Sequence, residues 1–460
     1  MDGKFMPFSP FRRIHPILVE DVLVVHYTMK EENTRKAVAV TDRKNPAKGI
    51  VLFLIFLCLH SLTSCEEKDD ISLRTLSEEK NYATNNRAAA VCLSSIMYNR
   101  TDSTNPLERF KLVHISDAHL SDRSSSNHYE TPKNLIEAVK FSNQQELQIN
   151  AIVATGDHIS YSSRTEALLY LQSFYKNLFS QNKIPTFPCL GNHDSNINNQ
   201  DFSNAFSKKE LYSAFDNKNN YALKQEDQEN YYYADVKNPM GGTVRIIALD
   251  MLDQAYPEYN TVYNALFSQK QIDWLCRKAL KENMTEQHQV IIITHFPFQA
   301  LTAKMSNYLI DGSFIHSARL IPEIIEAFRE KEPIRESYPN LQKKNDTIYV
   351  DTDFSDYKGD FICYMGGHAH VTAQFEINGL RNQSTSRLPQ KMLLCTNMSP
   401  SEAGTMFNRV KREENTITDN SFCIYAIDTQ ERNIYITFFG AYLPADKTKT
   451  EYPEIQIIPY

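Results

Sequence analysis

Five short apolar runs punctuate the chain after Phe110: "KLVHIS", "AIVATG", "FPCLG", "VIIITH" and "FICYMGG". Each is short enough to be a buried strand, and between them apolar residues recur at helical spacing. One predicted helix opens with Thr131 as cap and Pro132 at its first position, then buries Leu135, Ile136 and Val139. A second carries Ile272, Leu275, Cys276, Ala279 and Leu280 on one face; a third carries Ile321, Ile324, Ile325 and Phe328. Strand alternating with helix predicts a layered α/β fold. After Val371 the texture changes: "AQFEINGL", "KMLLCTNM", "SFCIYAID" and "NIYITFFG" read as strands with little helix between them, a second and more antiparallel sheet packed on the first. Residues 195–243 and 329–360 interrupt the pattern and are candidates for lids or substrate-shaping insertions, with "YVDTDFSDY", Tyr349 to Tyr357, as either a specificity lid or a plain strand and loop.

Upstream the pattern differs. Ile50 to Leu62 is an apolar run of 13 residues, shorter than the ~20 residues that span a bilayer and preceded by Arg43, Lys44 and Lys48, which predicts a signal-peptide core. "SLTSC" then resembles the lipobox of bacterial lipoproteins, with Cys65 as the lipidated residue, and "EEKDD", Glu66 to Asp70, resembles an acidic signal for surface export. The implied product is an exported bacterial lipoprotein on the outer membrane, at the cell surface or the periplasmic face. The predicted organisation is a leader over 1–64, a polar tether over 65–105 and a catalytic domain over 106–460. Residues 1–42 are long for a leader, so the true start is expected downstream of Met1.

Composition narrows the function. The first 64 residues hold 9 Lys/Arg and 6 Asp/Glu of the chain's 49 and 56, leaving 40 against 50. That acidic balance argues against a nucleic-acid-binding face. Of eight cysteines, six lie beyond Cys58 and Cys65; none forms a CxxC pair, which excludes a zinc ribbon or thioredoxin motif. Cys189, Cys276 and Cys363 sit in apolar runs, so buried free thiols and disulfides both stay open.

Each of the five runs ends in residues of metal-ligand type: Asp117 and His119; Asp157; Asn192, His193 and Asp194; His295; and His368 and His370. In open α/β sheets ligands bind beyond the C-terminal strand ends, so the five ends are expected to converge. His368 and His370, two apart, point the same way if the segment is extended. The donor set is too large for one zinc ion and suits two ions sharing a carboxylate. Nitrogen and oxygen donors without thiolate favour Mn, Fe or Zn.

The order "DAH", "GDH", "GNHD", "THFPF", "GHAH" is similar to that of the calcineurin-like metallophosphoesterase superfamily. The resemblance implies a layered α/β/β/α sandwich of two mixed sheets packed face to face, with the metal site at the C-terminal strand ends. It implies two divalent ions per chain: Asp117, His119 and His370 on one, Asn192, His295 and His368 on the other, and Asp157 bridging. Metal-activated hydroxide would attack the phosphorus. His193 would be the general acid, with Asp194 holding its other ring nitrogen. "SQKQIDWL" resembles a family landmark in which Trp274 packs. No tyrosine stands three residues after Asp157 and no arginine follows "GD" at protein-phosphatase spacing, which disfavours purple acid and Ser/Thr protein phosphatases. The expectation is a phosphodiesterase acting on a small-molecule phosphoester. The alternatives are a phosphomonoesterase on nucleotides or sugar phosphates and a non-catalytic scaffold lipoprotein. No protein partner is expected beyond the membrane anchor. His158 and Asp250 are candidates for the substrate rim, with a position turned away from the metals as the alternative for His158 and a turn or cap role for Asp250, whereas His114, His128, His288 and His316 fall in no motif and read as structural.

Overall fold

The computed structural model describes the backbone of residues 11–19, 22–29 and 36–42, and residues 104–120, 131–179, 182–197, 201–215, 223–226, 228–253, 266–298, 319–339, 347–377, 389–396, 398, 419–441 and 456–460. The chain divides into two compact units, Met1–Arg100 and Thr101–Tyr460. In the first, β1 (Phe11–Val19), β2 (Val22–Met29) and β3 (Lys36–Asp42) form an antiparallel meander. The predicted signal core Ile50 to Leu62, Cys65 and the acidic run lie outside the described residues. No helix among the described residues is long and apolar enough to cross a membrane.

The second unit holds all five apolar runs as strands. Three of them, β4 (Phe110–Ile115), β5 (Ala151–Thr155) and β6 (Thr186–Cys189), pair in parallel, with α1 (Thr131–Ser142) and α2 (Arg164–Phe179) as the crossovers. After α3 (Lys208–Ala214) and the short β7 (Lys224–Gln225), β8 (Tyr232–Lys237) pairs antiparallel with β9 (Thr243–Ala248). Next come α4 (Gln269–Trp274), β10 (His288–Ile293), α5 (Leu320–Glu330), the hairpin β11 (Pro333–Pro339) and β12 (Thr347–Asp353), and β13 (Asp360–Gly366). The chain closes with β14 (Ala373–Ile377), β15 (Gln390–Leu394), β16 (Ser421–Asp428), β17 (Asn433–Gly440) and β18 (Gln456–Pro459).

Two mixed sheets result, ordered β18-β17-β16-β4-β5-β6 and β14-β15-β13-β10-β9-β8-β7. This agrees with the expected fold class but corrects one part of it. The strands after Val371 do not make a sheet of their own: β14 and β15 extend the sheet of β13, while β16 to β18 extend that of β4. Both β16 and β17 are buried along their whole length, so their pattern carries no face or sheet preference. Membership is decided by the open edge of β4, onto which β16 pairs. Direct bonds join the sheets: Tyr232 Oη donates to Pro188 O (2.7 Å), Tyr460 Oη to Gln289 Oε1 (2.8 Å) and Cys395 Sγ to His114 O (3.2 Å).

The predicted helical stripes are real. Ile272, Leu275, Cys276, Ala279 and Leu280 join Ile321, Ile324, Ile325 and Phe328 in one core against Val290, Ile292 and Tyr364. Ser268 caps α4 by accepting from Gln271 N, and beyond Trp274 the helix widens into a π turn, Leu275–Ala279, with Leu280 N bonded to Leu275 O. Trp274 packs on Tyr231 and Tyr233. In the first helix Leu135 and Val139 are buried and Ile136 is half-buried. The β11–β12 hairpin is fastened to α4 by Gln269, whose amide donates to Tyr349 O (2.7 Å) and accepts from Tyr349 N (2.8 Å). Tyr349 to Asp353 is therefore a strand lying on a helix, not a specificity lid. Cys189, Cys276, Cys363, Cys395 and Cys423 are buried free thiols; Cys92 lies outside the described residues.

Candidate metal centre

The five predicted strand ends do come together, but from two sheets. The loops after β4, β5 and β6 meet those after β10 and β13, and they are stitched by backbone bonds: Asp117 N to Gly156 O (3.0 Å), His119 N to Asp157 O (2.9 Å) and Gly367 N to His295 O (3.0 Å). Asp117, His119, Asp157, His368 and His370 all have φ between 48° and 64°. A left-handed non-glycine residue costs about 1–2 kcal/mol, and such strain concentrates at functional sites. Here it turns each chain sharply out of its strand and aims the side chain inward. It also corrects the extended reading of "HAH": His368 and His370 diverge, toward Asn192 and toward Asp117 respectively. Gly191 has a separate reason, since a Cβ there would overlap Asp157 N and Oδ1.

The ligand atoms form two groups with a common member. Asp117, His119, Asp157 and His370 offer atoms all within 4.8 Å of one another, and so do Asp157, His295 and His368. In the first, His370 Nε2 lies 3.2 Å from Asp117 Oδ1 and 3.1 Å from His119 Nε2, which is 3.8 Å from Asp157 Oδ2. In the second, His295 Nε2 lies 3.1 Å from Asp157 Oδ2, and Asn192 Oδ1 is 3.1 Å from both His295 Nε2 and His368 Nδ1. Ligands bound at ~2.1 Å to one ion stand roughly 3.0–3.5 Å apart along the edges of its coordination shell. Most of these separations match that spacing, and the set is nitrogen and oxygen only. The residues fit divalent metal binding.

Electrostatics agree. Burial by itself would raise the Asp117 carboxyl; His370, by charge and hydrogen bond, outweighs it and holds the group at about 2. Burial would likewise raise Asp157, but His295 outweighs it and the group is held well below the usual carboxylate range. Burial opposes charge on His295, but Asp157 wins and lifts it to about 9. His119 and His368 are pushed down by burial, His368 to about 3, so they present bare nitrogens. Anionic oxygens beside the neutral imidazoles of His119 and His368 suit a cation, and a divalent ion would take the place of the proton that Asp157 holds on His295.

His193 differs from these in being partly open, with 23% of its side chain exposed. Its amide donates to Asp157 Oδ1 (2.8 Å), its Nε2 lies 3.9 Å from Asp157 Oδ2, and its ring stacks on Tyr161 at 4.2 Å and meets His119 edge-on at 4.6 Å. Asp194 requires a correction. Its oxygens accept from the backbone amides of Gly191 (2.7 Å), His158 (2.7 Å) and Ile159 (3.3 Å), so it ties the third loop to the second and does not serve as the holder of the His193 ring. Burial, with Asp157 nearby, raises it to about 8.

The two rim candidates are also corrected. His158 is buried, stacked at 4.1 Å on Phe174 with Tyr175 edge-on, because the chain after Asp157 turns it toward α2. Asp250 is buried and closes a turn, accepting from Leu252 N at 2.9 Å. His114 and His288 are structural, bonded to Thr155 and Thr285; His128 and His316 lie outside the described residues. Sequence reasoning missed Tyr161 and Ser116. A single aromatic in a loop, or a serine next to a motif, carries no periodic signal that marks it.

The comparisons with known proteins bear on the same residues. None of the curated proteins matches the chain by sequence. Among solved structures, Vps29 from Chaetomium thermophilum is similar with 12% identity and a TM-score of 0.24, over 76% of this chain and 97% of that one. The family profile described as calcineurin-like phosphoesterase matches residues 110–372, a span that begins with β4, takes in every ligand candidate above and ends just past His370. The chain belongs to the calcineurin-like phosphoesterase family and is a metal-dependent hydrolase of phosphoric esters.

Proposed function

We propose that this hydrolase holds two divalent ions and acts on phosphodiesters. The observation that carries the reading is Asp157, whose carboxylate belongs to both ligand groups. Asp117, His119 and His370 would hold one ion, and Asn192, His295 and His368 the other. Ions bound there supply Lewis acidity toward the phosphoryl oxygens and the attacking water. The chain's own residues do the rest. His193, the partly open imidazole, is the group placed to donate a proton to the departing alkoxide. Tyr161, stacked on it, keeps that ring from rotating. The loop carrying His193 is held by Asp194 through three backbone bonds.

A preference for diesters is supported by the lack of an arginine at protein-phosphatase spacing after Gly156-Asp157. Arg164, the first arginine after Asp157, is bonded to Glu210 and the Ala205 carbonyl, so its guanidinium is engaged elsewhere than as a clamp for the extra charge of a monoester. With Mn2+ restored after chelation, the purified chain is expected to hydrolyse bis-p-nitrophenyl phosphate faster than p-nitrophenyl phosphate. The reverse order assigns it to monoesters, and metal-loaded protein inert to both sinks the catalytic reading.

The chain is further proposed to be an exported lipoprotein anchored through Cys65, on the strength of the apolar run before "SLTSC". Mass spectrometry of the membrane fraction should find an acylated peptide beginning at Cys65. A mature protein that retains residues upstream of it overturns the proposal. Protease shaving of intact cells then reports the face: loss of the protein means surface display, and protection means the periplasmic side.

A further inference from the structure

The two oxygens of Asp117 have different surroundings. Oδ1 faces His370 Nε2 (3.2 Å) and His119 Nε2 (3.8 Å). Oδ2 accepts from Ser116 Oγ at 2.5 Å, and the His368 amide straddles both oxygens at 3.2 and 3.1 Å. Behind Ser116 stand three more buried polar groups: Thr155 Oγ1 at 2.9 Å from Ser116 Oγ, His114 Nε2 at 2.8 Å from Thr155 Oγ1, and Tyr425 Oη at 3.4 Å from His114 Nδ1.

Counting protons gives this chain a direction. Ser116 has one hydrogen, and it goes to the charged oxygen at 2.5 Å in preference to the Thr155 carbonyl at 3.4 Å. Ser116 Oγ is then the acceptor for Thr155, whose only hydroxyl hydrogen is used there. Thr155 Oγ1 must accept from His114, so Nε2 carries the ring hydrogen. Burial lowers His114 to about 3 and keeps it neutral, which leaves Nδ1 as the acceptor toward Tyr425. A Cβ at Gly367 would overlap both Ser116 Oγ and Asp117 Oδ2, so the glycine leaves room for that bond.

We propose that this one-way chain, Tyr425 to His114 to Thr155 to Ser116 to Asp117, positions the Asp117 carboxylate for its ion by pinning Oδ2 and presenting Oδ1. The inference rests on the metal reading of the site. None of the four upstream side chains touches substrate or ion; each acts through Asp117, while the Thr155 carbonyl separately holds His295 Nδ1 at 2.7 Å, a backbone bond that the side-chain variants leave in place. His114, which falls in no sequence motif, thereby gains a task.

The test uses isosteric pairs. Thr155→Val keeps the shape and removes the hydroxyl, while Thr155→Ser removes the methyl and keeps the hydroxyl. Mn2+ affinity, measured by competition with a chromogenic chelator, is expected to fall about 10–100-fold in Thr155→Val and Ser116→Ala and to stay within about threefold of wild type in Thr155→Ser. If Thr155 only packs, the two Thr155 variants reverse their order, and that order overturns the proposal, as does equal affinity in all four proteins. Nitrogen-15 NMR of histidine-labelled, metal-free wild type reads the tautomer without any variant: a protonated Nε2 on His114 is expected, and a protonated Nδ1 overturns the relay. Wild type that takes up no Mn2+ refutes the metal reading itself and the proposal with it, a result distinct from wild type that binds and variants that match it.

Discussion

Replacing Asp157 by asparagine is expected to empty both ligand groups and lower turnover by about three orders of magnitude. The amide has the same shape, but it lacks the charge that Asp157 holds against His295, and with Oδ2 facing both groups and Oδ1 accepting from the His193 amide, its single oxygen cannot serve both places. If metal ions contribute about 4 kcal/mol of transition-state charge stabilisation, their loss is worth about three decades in rate. Metal content by mass spectrometry and diester turnover should fall together. An asparagine variant that keeps its full metal content and most of its activity would show that the carboxylate is not shared, and each group would have to be explained by its own ligands.

Replacing His193 by alanine should give a different signature. Its side chain is the open member of the cluster, so metal content is expected to stay at the wild-type level while kcat drops. For a leaving alcohol that needs protonation the loss is expected to be about 10²–10⁴-fold. For p-nitrophenolate, stable as an anion, the loss should be much smaller. A plot of rate against leaving-group pKa should therefore steepen in the variant. Parallel lines for wild type and variant would remove His193 from the acid role. Tyr161→Ala should show a weaker form of the same steepening, because the ring loses its stacking surface, and Tyr161→Phe should restore it. Asp194→Asn should act instead through stability, since its bonds go to loop backbone.

How much of this was legible in the chain depends on the range of the interaction concerned. Apolar periodicity marked the strands that carry the ligands and the faces of α4 and α5, since burial imposes a pattern on neighbouring residues. The polar residues just beyond each strand were visible for the same reason: an apolar run that ends in Asp, Asn or His is a local event. Those features, with the order of the motifs, sufficed for the family, and they named the Asp and His residues that the fold gathers into two groups.

Tertiary structure decided the rest. Whether β16 joins β15 or β4 depends on which edge is open, and a strand buried on both faces records no preference. Whether His158 faces the opening or α2, and whether His368 and His370 serve one group or two, depends on a left-handed turn at single residues that no periodicity encodes. The partners of Asp194 and the chain of bonds behind Asp117 join residues far apart in sequence, and they exist only once five loops from two sheets are packed together. Residue types and their order thus determined the chemistry available to this protein. The packing of two sheets determined which groups carry it and which merely hold them in place.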